Sequence, residues 1–343
     1  MNAPTRPASA ASPVSTRVDF DAPGRQTGFL RVPHSTHASA YGWIPVPVVC
    51  LRHGDGPTVL LMAGNHGDEY EGQVALMHLA RTLRAEDVQG RLILLPAVNF
   101  PAADAGRRTS PLDGGNLNRA FPGDPGGGPT AMIAHYVDSV LLPMADYAAD
   151  LHSGGSSLVY TPCALGNLFD GETARNAKVL ELLRVFGAPV SYVAKKPMGA
   201  DRAFGASARR RGVVAIGTEA GGGGTVSPAA LRIARSGLHR VLRHLGVVPG
   251  LEVEASHGTR LVEVGGSDYF VYATERGLAE PLVEPGDDVV AGQPAARIHF
   301  PDTPWRDAET VCFERSGLVL CKRVPGRTER GDCLFHLGTD VAD

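Results

Sequence analysis

The 343-residue sequence is short of cysteine, aromatics, basic charge and long hydrophobic runs. Each shortage bears on function. Five cysteines (Cys50, Cys163, Cys312, Cys321 and Cys333) make an odd set without a C-x-x-C pair, which excludes a disulfide framework and a cysteine-based zinc site. That pattern fits a reducing cytosol, so a cytoplasmic location is expected. Lys and Arg number 33 against 36 Asp and Glu, for a formal charge of -3, so no basic surface for nucleic acid is expected. No span approaches the roughly eighteen apolar residues of a membrane helix, and "MNAPTRPASAASPVSTR" lacks the apolar centre of a signal peptide. Neither nucleic acid nor membrane is therefore an expected partner, and residues 1–17 read as a disordered lead-in rich in Pro, Ala and Ser.

The sequence is 43% hydrophobic and long enough for one large core or a large and a small one. Short apolar runs at Thr58–Ala63, Arg91–Val98, Tyr147–Leu151 and Val213–Thr218 read as strands covered on both faces. Helical periodicity fills the intervals at 71–84, 130–142, 172–186 and 228–245. The alternation predicts an α/β domain over 18–250, with a mainly parallel sheet, helices on both faces and ligands at the carboxyl ends of the strands. Beyond "GVVPG" the composition turns to Val, Glu, Gly and Pro, which predicts a smaller β domain over 251–343. Within it, halves starting at Gly277 and Gly317 each reach Pro-Gly and then Gly-Gln or Gly-Asp. This faint duplication resembles the barrel-sandwich fold of biotinyl and lipoyl domains. Its one lysine, Lys322, is in no carrier setting, so a lid or assembly module is expected and not a swinging arm.

The polar segments fall at the predicted strand ends. In "MAGNHGDEYEG", His66 and Glu69 are three residues apart in a Gly-rich turn, where both side chains can aim at one point. Alone, the pair reads more readily as a polar turn with a capping Glu. "DYAADLHSGGSS" adds His152, with Asp150 two residues earlier on the same side, where it could accept the ring N–H of a ligand histidine. Catalytic zinc sites combine three His or carboxylate ligands with an open position, and His66, Glu69 and His152 form such a trio. "GRRTSPLDGGNLNRAFPG" supplies Arg108, Asn118 and Arg119. Arg119 beside Asn118 suits a carboxylate, and Arg108 could polarise a carbonyl oxygen. "AIGTEAGGGG" places Glu219 at a strand end, where a carboxylate could take a proton from water.

Taken together and in order, G-N-H-G-D-E, N-L-N-R-x-F-P-G, D-L-H-S and T-E-A-G resemble the succinylglutamate desuccinylase/aspartoacylase family, zinc amidohydrolases related to the M14 metallocarboxypeptidases. The resemblance covers about residues 55–340. It implies His66, Glu69 and His152 as ligands of one Zn²⁺ per chain, Glu219 as general base and acid, Arg108 as the carbonyl-polarising residue, and Asn118 with Arg119 as the carboxylate clamp. "DAPGRQTGFLRVPHSTHASAYGWIPVPV" and "MAGNHGDEYEGQVALM" are most similar to the ectoine-degradation branch, which implies N-α-acetyl-L-2,4-diaminobutyrate as the small-molecule substrate. Asp68, Glu71 and Asp113 are candidate partners for that substrate's free amine. Asn116 stands where aspartoacylases carry the Asp of D-L-N-R, which lowers the charge of the loop. A desuccinylase, an aspartoacylase, a carboxypeptidase and a metal-dependent scaffold are the rival readings, and a homo-oligomer is left open.

Overall fold

The computed structural model describes residues 11–194, 200–256 and 258–341. Its main sheet places, in order, β1 (Gly24–Pro33), β2 (Trp43–His53), β4 (Gly90–Leu95), β3 (Thr58–Ala63), β5 (Tyr147–His152), β8 (Val214–Glu219), β6 (Cys163–Asn167), β7 (Val190–Ala194), β9 (Arg260–Val264), β14 (Cys333–Asp340) and β13 (Gly317–Arg323). Helices α1 (Tyr70–Thr82), α2 (Pro129–Tyr136), α3 (Thr173–Phe186), α4 (Phe204–Arg210) and α5 (Pro228–His244) cover it.

Side-chain alternation shows why the central strands read as unbroken apolar runs. Leu60 and Met62 of β3 join one core with Ile93, Leu95, Phe121 and Ile133. Val59, Leu61 and Ala63 join a second core with Leu76, Leu79, Leu183, Phe186 and Leu238. A strand with apolar neighbours on both faces has no polar face to display.

The sheet is mixed, which corrects the mainly parallel expectation. Parallel pairing holds from β4 through β3 and β5 to β8. At one edge β2 runs antiparallel to both β4 and its hairpin partner β1. β6 is antiparallel to β8, because the short link 153–162 turns the chain back without the crossover of a dozen or more residues that a parallel return needs. β6, α3 and β7 then restore a parallel pair.

Of the expected lead-in 1–17, residues 1–10 lie outside the described residues. Ser15 and Thr16 already pair with Arg31 and Leu30, and Val14 is buried, so order begins before residue 18. At the other boundary the sheet does not stop. β9 pairs in parallel with β7, and β14 pairs with β9, so strands beyond residue 250 extend the main sheet.

The last part also has a core, built on Ile298, Phe313, Leu318, Leu320 and Phe335, which Cys163 and Val190 of the main sheet join. A second sheet there orders β12 (Glu309–Cys312), β11 (Pro294–His299), β10 (Gly277–Pro281) and Arg327–Thr328. The two halves of the faint duplication exchange sheets. In the first, the outer strands β10 and β11 lie in the small sheet and Asp288–Val289 in the large one; in the second, β13 and β14 lie in the large sheet and Arg327–Thr328 in the small one.

Candidate metal and acid–base site

The parallel strands β3, β5 and β8 deliver the site from their carboxyl ends. After β3 the chain makes a tight turn in which Gly67 has no room for a side chain: a Cβ there would fall 1.9 Å from the Ala102 carbonyl oxygen. Its N–H donates to the Arg107 carbonyl at 2.8 Å. His66 is thereby held on the inner side of the turn, and Glu69 follows at the N-cap of α1. The Glu69 side chain makes no capping bond. It points instead between two histidines, with Oε1 2.7 Å from His66 Nδ1 and Oε2 2.7 Å from His152 Nδ1.

His66, Glu69 and His152 are all buried, and their ligand atoms lie within 4.8 Å of one another. Two imidazole nitrogens and one carboxylate converging in a dry corner match the donor set of zinc sites that keep a fourth position open. The far side of each ring is also engaged. His152 Nε2 is 2.8 Å from Asp150 Oδ2, which accepts from Asn65 Nδ2 at the same distance. His66 Nε2 is 3.2 Å from Asn116 Oδ1. Partners of this kind hold each ring from its Nε2 side, so that Nδ1, here 2.7 Å from Glu69, is the nitrogen that would turn to a metal.

The charges follow from these contacts. Burial pushes Glu69 up, but His152 and His66 outweigh it and hold the carboxyl at about 2. Burial pushes both imidazoles down. His152 nevertheless ends well above the ordinary value because Asp150 and Glu69 both face it, whereas His66, with Glu69 alone, stays below.

Glu219 stands beside this corner, since it is the register partner of His152 across β5 and β8. Its Oε2 is buried without a partner among the described residues. Burial first, and the nearby Glu69 second, push its pKa well above the usual carboxylate range. Gly221 to Gly224 follow with positive φ, a run that other residues would strain. It allows Gly222 to bridge Val159 on the strand Leu158–Tyr160, which β13 pairs in turn.

The long loop places its polar residues around the same corner. Arg108 Nη1 is 3.3 Å from both Glu69 Oε1 and His66 Nδ1. Asn118 Nδ2 is 3.5 Å from His152 Nε2, and its Oδ1 accepts the Phe204 N–H at 3.0 Å. Arg119 donates to the Asn118 carbonyl at 2.8 Å, and burial together with the Arg108 cation depresses its pKa. Two neighbouring guanidinium groups in this position favour an anion.

His66, Glu69, Asp150, His152, Glu219, Arg108 and Asn118 thus lie around one corner, with Arg119 next to Asn118, whereas the acidic candidates for the substrate amine are bonded elsewhere. Asp68 accepts from Ser156 N and Oγ, Glu71 from Ser227 N, and Asp113 from Thr130 N and Oγ1. These three carboxylates tie loops together. Asn116 and Asn65 were missed as orienting residues. The requirement that a ligand histidine be held from its second nitrogen calls for such groups, but only the folded chain shows which residues supply them.

An α/β sheet with a buried His–Glu–His corner at its strand ends, and a carboxyl group in register beside it, defines a candidate metal-dependent hydrolase. The chain belongs to the succinylglutamate desuccinylase/aspartoacylase family, whose catalytic-domain model matches residues 55–245. It is 42% identical over 324 residues, 94% of either chain, to an N-alpha-acetyl-L-2,4-diaminobutyric acid deacetylase of Halomonas elongata. Among solved structures, the product-bound ectoine utilization protein EutE (DoeB) of Ruegeria pomeroyi is 39% identical at a TM-score of 0.91, covering 96% of this chain and 100% of that one. A succinylglutamate desuccinylase/aspartoacylase of Rhodobacter sphaeroides is 41% identical at a TM-score of 0.90, covering 97% and 100%.

Proposed function

We propose that this protein is a zinc-dependent deacetylase that hydrolyses N-α-acetyl-L-2,4-diaminobutyrate to acetate and L-2,4-diaminobutyrate, a step of ectoine degradation. The observation that carries the reading is the 42% identity to the Halomonas deacetylase over 94% of both chains. The His66–Glu69–His152 corner supports the metal, and Glu219 in register with His152 supports the chemistry.

His66 and His152 through Nδ1, and Glu69 through its carboxylate, would hold one Zn²⁺. Zinc in such a site supplies Lewis acidity and lowers the pKa of a bound water toward neutrality. Glu219 takes the proton of the attacking water; its raised pKa matches a carboxylate that must first accept and then return that proton. Arg108 offers an N–H to the charge that grows on the amide oxygen. Asn118 and Arg119 hold the α-carboxylate, so the substrate is a free N-acyl amino acid and not an internal peptide bond. Glu219 then returns the proton to the leaving amine, and the C–N bond breaks.

Release of free amine from N-acetyl-diaminobutyrate, N-acetylaspartate, N-succinylglutamate and a dipeptide tests this. The expected result is the highest kcat/KM on the first compound. Preference for any of the others would overturn the substrate, and no amide hydrolysis by metal-loaded protein would overturn the activity.

A further inference from the structure

A cavity of about 160 Å³ opens between His152 and Glu219 and runs along the sheet face to Leu165, Asn167 and Tyr192. It is smaller than the roughly 300–1,000 Å³ of sites for drug-sized ligands, so it suits a short unbranched side chain. Its position follows the substrate. A carboxylate held at Asn118 and a carbonyl at the metal corner leave the α-carbon between them, and Asn118 and His152 both line this cavity. The third substituent of an α-carbon so placed would face into it.

Among the described residues the charge of the wall is one-sided. Its carboxylates are Asp150 and Glu219, and no Lys or Arg lines it among the described residues. Glu219 is committed to proton transfer. Asp150 spends Oδ2 on Asn65 and His152, while Oδ1 is buried without a partner among the described residues. Asp68, Glu71 and Asp113 do not line the cavity.

We propose that this cavity takes the substrate's aminoethyl side chain, with Asp150 as the carboxylate that receives its ammonium and Asn167 as the neutral polar wall beside it. The same charge would repel a side chain ending in a carboxylate, so the cavity selects against aspartate and glutamate derivatives. The inference rests on the function proposed above, because it assumes an N-acyl diamino acid at the metal corner.

The test is the ratio of kcat/KM for N-acetyl-diaminobutyrate to that for N-acetyl-2-aminobutyrate, which lacks the amine. The wild-type ratio is expected at about ten or more, the range in which a charged hydrogen bond shows in kinetics. Asn167→Lys sets a cation in the wall and should lower the ratio at least about tenfold. The near-isosteric Asn167→Asp should raise it at least about threefold. A wild-type ratio well above one that either folded variant leaves unmoved would overturn this placement and leave the proposed function standing. A wild-type ratio near one would overturn the diamino acid as substrate, and the inference with it.

Discussion

His152 and Glu219 face each other as register partners in two adjacent parallel strands, β5 and β8. One ends as a candidate metal ligand and the other as a buried carboxyl group whose Oε2 has no partner among the described residues. Neighbouring strand ends hold the two at a spacing set by backbone hydrogen bonds, so Glu219, the proposed proton acceptor, needs no mobile loop to reach the candidate metal corner.

Removing the acid–base function without changing shape isolates it. Glu219→Gln should keep the metal content of the wild type and lower kcat by at least about 10²-fold, in the range that general acid–base groups contribute. Steady-state kinetics with metal analysis on the same preparation checks both halves. A normal rate would remove Glu219 from the base role, and loss of metal would make it a ligand.

The metal itself is predicted at one zinc per chain. Chelation should abolish activity and added zinc should restore it. Asp150→Asn should weaken zinc binding about 10- to 100-fold, since Asp150 Oδ2 orients His152 from 2.8 Å. Competition against a zinc-responsive dye measures this. Unchanged affinity would mean that His152 is oriented by its other contacts.

The two arginines should separate in kinetics. Arg119→Ala is expected to raise KM with little change in kcat if the clamp holds substrate and transition state alike. Arg108→Ala is expected to lower kcat, on the order of 10²-fold, if it stabilises charge formed only in the transition state. Interchanged effects would exchange the two roles.

A pH effect is expected at His336, a buried histidine whose ring meets Tyr192 of the cavity wall at a centroid distance of 5.9 Å. His336 stacks on Phe270 at a centroid distance of 4.3 Å, and both ring nitrogens lack partners among the described residues. Burial pushes its pKa down to about 4. An unfolded chain regains the ordinary value of about 6.5 and binds the proton more tightly, so stability is full above 6.5 and is lost as pH falls from there toward 4. Between pH 7 and pH 5 the loss from this group is about 2 kcal/mol. His336→Leu should flatten the pH dependence of urea unfolding by that amount, and an unchanged slope would place the acid sensitivity elsewhere.

Much of the framework was legible in the residues because it depends on local pattern. The apolar run Thr58–Ala63 is a strand with those ends, and the periodicity over 228–245 is a helix over Pro228–His244. The expected helix 130–142 shortens to Pro129–Tyr136 and continues as a π-turn over Val137–Leu141. The hairpin of β1 and β2 went unread. Pro45 and Pro47 argue against a strand, yet β2 accommodates both opposite Arg31 and Phe29.

What the sequence determined by itself was the chemistry on offer: a histidine and a glutamate one turn apart after a strand, a second histidine with an aspartate two residues before it, and a glutamate before four glycines. These spacings are set by the backbone periods of turn, strand and helix, which do not wait for the rest of the fold. Tertiary structure decided which groups meet. It paired β5 with β8, turned β6 antiparallel, set Asn116 behind His66, and left Asp150 Oδ1 without a partner among the described residues while Asp68, Glu71 and Asp113 were used on loops. Those contacts join residues tens of positions apart, and their geometry depends on strand order and packing, which no local spacing encodes.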